Sequence, residues 1–180
     1  MSTAKPPSRR PSGFNGIAWV QWLFLTTLGW LLGIFVTAQI DALAGDRIGL
    51  LAESGIGLAV GLMQWFQLRP LGRHSAWWIV ATGLGWVLAL GFVRLIGLDD
   101  IELRGALIGT VLGVGQWLVL RHTSRQAGWW ILVSALAWTV GQTLGVFLVG
   151  AVVGAVTGFA LVLLPRHHRS QPEFDIHSPT

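Results

Sequence analysis

Glu53 is a carboxylate set inside a long apolar stretch, and such a group by default suggests a proton relay, an ion pathway or a paired charge. Arg94 is its expected partner, with Arg47 and Arg104 as alternatives. A structural ion pair is the first reading, because long side chains reach toward the headgroups near a membrane boundary; ion coupling is the second. Gln64 and Gln116 are amides in equally apolar surroundings and need partners there. Hydrogen bonds between helices are their first reading, and a polar lining or a ligand for a pigment metal the second. Trp30, Trp86 and Trp138 lie deep within apolar stretches, where each indole N–H needs an acceptor. Core packing, or the lining of a lipid or pigment groove, would use them.

The other reactive residue types point elsewhere. Asp99, Asp100 and Glu102 stand before an apolar helix, so helix capping is the simpler account than a cation site. Asp46 has the same relation to the helix after it. His74, His122, His167, His168 and His177 all fall in loops or in the tail, which excludes a bis-histidine haem site within the spans. The chain has no cysteine, so thiolate metal sites and cysteine nucleophiles are out. No nucleotide loop, zinc-ligand spacing or catalytic triad is present, and neither an enzyme nor a cofactor is expected.

These residues must be carried by membrane helices. The 180 residues are 53% hydrophobic and only 11% charged, against about 25% charged in soluble domains. The pI near 11.4 does not indicate nucleic acid, because the basic residues sit in short loops between apolar spans. With about 20 apolar residues needed per crossing, the sequence predicts spans near 16–38, 48–68, 75–97, 104–121, 127–147 and 150–165. The last two come from one apolar run too long for a single helix, so the chain must turn within Gly145 to Gly150; a re-entrant sixth segment is the alternative. Lys5, Arg9, Arg10, Arg69, Arg73, Arg121, Arg125, Arg166 and Arg169 all fall on one side of this arrangement. The positive-inside rule then puts both termini and the basic loops in the cytoplasm of a bacterial inner-membrane protein. Residues 1–13 and 168–180 read as disordered tails flanking one transmembrane domain over 14–167. Val36-Thr37-Ala38 resembles a signal cleavage site, but the stretch before it is long for a signal peptide and cleavage is not expected.

The chain also repeats. Gly57, Gly61, Gln64, Trp65, Leu68, Arg69, Trp77, Trp78 and Ile79 recur 52 residues on as Gly109, Gly113, Gln116, Trp117, Leu120, Arg121, Trp129, Trp130 and Ile131. The predicted fold is all-α, with six transmembrane helices in three degenerate hairpins. The second helix of each hairpin carries small residues in a four-residue register, on one face: Gly49, Gly57 and Gly61, with Glu53 at the step between the first two; Gly105, Gly109 and Gly113; Gly150, Gly154 and Gly158. Such stripes allow close backbone approach, and these helices are expected to face the centre. The third copy has Leu161-Val162 where the others have Gln-Trp, which leaves any polar ring incomplete. Trp19, Trp22, Trp65, Trp77, Trp78, Trp117, Trp129 and Trp130 are expected to form an aromatic belt at the cytoplasmic interface.

The pattern G-x-x-x-G-x-x-Q-W-x-x-L-R followed by W-W-I runs from Gly57 to Arg69 and on to Trp77-Trp78-Ile79, and again from Gly109 to Arg121 and Trp129-Trp130-Ile131. It resembles a group of small multi-pass proteins of cyanobacteria and green filamentous bacteria. The resemblance implies the repeat architecture and a bacterial inner membrane, and no activity or functional residue. The expected role is a non-enzymatic scaffold, assembly factor or accessory subunit, with the bilayer, other membrane subunits or a second copy as partners. The alternatives are a small solute or ion transporter or channel, and a pigment-, quinone- or lipid-binding protein.

Overall fold

The computed structural model describes residues 15–44, 49–124 and 126–163, and the tail, Asp46, Arg47 and Arg125 readings lie outside these. Six α-helices account for most of them: α1 (Gly16–Ala44), α2 (Gly49–Leu68), α3 (Trp77–Ile96), α4 (Ile101–Leu120), α5 (Trp130–Leu144) and α6 (Val149–Leu163). Short 3-10 turns over Arg69–Leu71, Arg73–Ala76 and Ala127–Trp129 lead from α2 to α3 and into α5. No strand occurs among the described residues.

Local chemistry sets the helix ends. Asn15 begins α1 by accepting from the Ala18 N–H at 3.0 Å. Asp100 caps α4 by accepting from the Leu103 N–H at 2.8 Å, so α4 starts at Ile101 rather than at the expected 104. α3 ends on Gly97 in the left-handed region, with the Leu98 N–H returning to the Val93 carbonyl at 3.0 Å. Gly145, at φ 104°, breaks the long apolar run between α5 and α6, a conformation that residues with a Cβ rarely adopt. That turn falls where length alone required it.

Three segments are long and apolar enough to cross a membrane: Gly16–Leu43, His74–Ile96 and Ile101–Leu120. The sequence predicted six. α2 carries Glu53, Ser54, Gln64 and Gln67 among its apolar residues. α5 and α6 have 15 residues each, about 22 Å of helix, because the turn at Gly145 divides one run between them.

The helices form a closed ring in chain order. Each packs on the next, and α6 packs back on α1. The glycine stripes make three of these six seams, α2 on α3, α4 on α5 and α6 on α1, and they correct one expectation. They face the next helix around the ring, meeting its backbone or the base of its tryptophans, rather than one another across the centre. A Cβ on Gly109 would lie 2.5 Å from the Ser134 carbonyl oxygen of α5, and one on Gly154 would lie 2.9 Å from Cα of Leu23 in α1. Gly57 and Gly61 seat α2 on α3, Gly105 and Gly113 join Gly109 against α5, and Gly150 and Gly158 join Gly154 against α1. Backbones this close gain dispersion contacts that a methyl group would forbid.

Candidate functional site

The centre of the ring is filled by indoles from α1, α3 and α5. Trp30, Trp86 and Trp138 meet as a triangle, with ring centroids 5.7, 5.6 and 5.1 Å apart around it. Each is 4% exposed, and Ile56, Val60, Ile108, Leu112, Val149 and Val153 of the glycine-striped helices pack around them. Trp30 Nε1 donates to the Val146 carbonyl at 2.6 Å, whereas Trp86 Nε1 is buried without an acceptor.

A second tryptophan layer lies two helical turns away. Trp22, Trp78 and Trp130 are at most 1% exposed, and Trp78 meets Trp22 and Trp130 edge-on at 5.9 and 5.8 Å. These three were expected in an interfacial belt, and the structure corrects that. They share a helix face with the deep layer eight residues on, so the same stripe that buries Trp30, Trp86 and Trp138 buries them. Trp77, by contrast, is 62% exposed.

Around this second layer the polar side chains join helices in a repeated pattern. Gln64 of α2 donates through Nε2 to Thr26 Oγ1 of α1 at 3.1 Å and accepts from Trp78 Nε1 of α3 at 2.9 Å. Gln116 of α4 donates to Thr82 Oγ1 of α3 at 3.1 Å and accepts from Trp130 Nε1 of α5 at 2.9 Å. Each glutamine thus clasps the helix before it to the helix after it. At the closing seam Leu161 occupies the glutamine's place. Trp22 Nε1 donates instead to Thr157 Oγ1 of α6 at 2.9 Å, and Ser134 Oγ of α5 is buried without a partner. Sequence reasoning named both glutamines but missed Thr26, Thr82 and Ser134. Their signal was present: each stands four residues after a tryptophan of the second layer.

The charged pair lies at one end of the ring. Arg94 Nη2 donates to Glu53 Oε1 at 2.7 Å, with the side chains 49% and 32% exposed, so the pair is not sealed inside the ring. Arg104 lines the same small cavity, and its Nε is buried without a partner. At the other end, Arg69 covers the Trp65 and Phe66 rings at 4.2 and 4.1 Å, and Arg121 lies over Trp117 at 5.6 Å. His74 and His122 stack there with centroids 5.9 Å apart, a pairing that sequence analysis did not foresee.

The arrangement is suited to holding helices together. The buried amides and two of the second-layer indoles satisfy each other, and the ring axis is occupied by aromatic side chains. Among the described residues, no group of three or more histidines and carboxylates could hold a metal ion. Against known family models, curated proteins and solved structures, the chain matches none.

Proposed function

We propose that the chain is a six-crossing integral membrane protein of three hairpins, with both termini and the arginine-bearing loops in the cytoplasm of a bacterial inner membrane. Its role is that of a non-enzymatic scaffold or accessory subunit. The observation that carries this reading is the filled axis. Two layers of tryptophans, a closed triangle and a trio joined through Trp78, lie where a solute pathway between three hairpins would run. The glutamines that could have lined such a pathway spend both ends of their amides on neighbouring helices. The outer faces carry exposed Phe24, Phe35, Phe92, Leu95, Phe147 and Phe159, an apolar surface for lipid or a partner helix.

The test is purification in mild detergent followed by reconstitution. A stoichiometric subunit or a defined self-association, together with liposomes no leakier than protein-free ones, is the expected result. Saturable flux of an ion or solute through the liposomes would overturn the scaffold reading in favour of a transporter. Single cysteines at 74, 99 and 122 in this cysteine-free chain test the topology. An impermeant reagent added outside intact cells should reach only position 99; labelling of 74 or 122 refutes the six-crossing scheme.

A further inference from the structure

Between α3 and α4 runs an open groove of about 740 Å³, within the size range of ligand sites. Small residues form its floor, where the two helices meet closely: a Cβ on Gly115 of α4 would come 3.2 Å from the Ala81 carbonyl of α3, and one on Gly85 of α3 would come 3.1 Å from Cδ2 of Leu112. Exposed Leu84, Leu88, Val114 and Leu118 form its walls. The one hydroxyl along it, that of Thr110, is already bonded to the Ala106 carbonyl. The mouth is of the opposite character. His74, Arg121 and His122 gather there, with no aspartate or glutamate among the lining residues.

Two features select the occupant. The groove extends along α3 from Trp77 to Leu88, about 16 Å at 1.5 Å per residue. That is about half the 30 Å hydrocarbon thickness, the depth of one leaflet. A crossing helix from a partner would need a seam of the full thickness; an acyl chain needs only this. The cationic mouth then lies at headgroup level, where a guanidinium can take a phosphate through two parallel hydrogen bonds.

We propose that the groove between α3 and α4 binds one anionic phospholipid of the arginine-side leaflet, its acyl chain in the seam and its phosphate on Arg121, His74 and His122. The inference rests on the membrane placement given above and is independent of the scaffold role. It makes the chain a lipid-selective protein whose bound lipid fills the groove between the two helices of the second hairpin.

The test is native mass spectrometry of the delipidated full chain in mild detergent, titrated with dioleoylphosphatidylglycerol, dioleoylphosphatidylcholine or glycerol 3-phosphate. One phosphatidylglycerol per chain is expected, held at least about fivefold more tightly than phosphatidylcholine, the factor that one juxtamembrane cation supplies. Glycerol 3-phosphate should not be retained. The combined variant His74→Gln, Arg121→Gln, His122→Gln should lower phosphatidylglycerol to the phosphatidylcholine level, and Val114→Trp should abolish both adducts. All four positions are exposed, so the variants should keep the unfolding temperature of the parent chain. Equal retention of the two lipids, a triple variant that keeps the preference, a Val114→Trp chain that keeps its adduct, or headgroup retention without acyl chains overturns the proposal. Carbonate extraction of cell membranes separates the two readings: release of the chain refutes the membrane placement, whereas a firmly embedded chain without lipid preference refutes only the lipid site.

Discussion

The two glutamine clasps and the seam that closes the ring do the same mechanical task with different chemistry. At Gln64 and Gln116 one amide serves two helices, taking an indole N–H on one side and giving its own N–H to a threonine on the other. At the closing seam the amide has become Leu161, and its work is only half replaced. Thr157, which donates to the Val153 carbonyl of its own helix, accepts from Trp22, but nothing serves Ser134. A buried hydroxyl without a partner is expensive where no water can reach it. The glycine stripe nevertheless continues through Gly150, Gly154 and Gly158, so α6 still meets α1 backbone to backbone. Close packing and the indole bonds of Trp22 to Thr157 and of Trp19 to the Ala155 carbonyl therefore hold the last seam, while packing and a shared amide together hold the other two.

This contrast can be broken or sharpened by substitution. The largest effect is expected from Gln116→Leu, which copies the closing seam into the second clasp. It orphans the Trp130 N–H and removes the donor to Thr82, at a cost of about 2 kcal/mol, read as a lower thermal unfolding midpoint in detergent. Thr157→Val removes the hydroxyl that accepts from Trp22 and should cost about 1 kcal/mol in the same assay. Leu161→Gln should instead stabilise the chain by about 0.6 kcal/mol, by supplying Ser134 with a donor and Trp22 with a second acceptor. That gain should shrink in a Ser134→Ala background, and a double-mutant cycle measures the coupling. The smallest effect is expected from Glu53→Gln. The partly exposed pair with Arg94 contributes at most about 0.5 kcal/mol, so unfolding should hardly move. A large loss there would show that the pair outweighs the clasps.

What the sequence could reveal followed the direction in which its signals run. Hydropathy runs along the chain, so six helices and a turn near Gly145 were readable. Capping decided the start of α4, and Asp100 was visible as a cap while its three-residue extension of the helix was not. Radial position was harder. Trp22, Trp78 and Trp130 sit at a depth that suits a belt equally well, and only the hydroxyls four residues later mark the stripe as buried. The glycine stripes announced close contact but not its direction, because a bare backbone can face a neighbour as readily as an axis. The His74–His122 stack escaped the repeat entirely: the two are 48 residues apart, off the 52-residue spacing, and only the packing of α3 beside α4 unites them.

The central claim is that the ring has a filled, dry axis and no route through it. Ala89, fully buried beside the deep tryptophan triangle, provides the most direct probe. An Ala89→Cys chain in native membranes should resist a small water-soluble thiol reagent from either side, while Asp99→Cys in the exposed loop reacts fully. Modification of Ala89→Cys at a rate close to that of Asp99→Cys would mean that water reaches the centre, and would contradict the account.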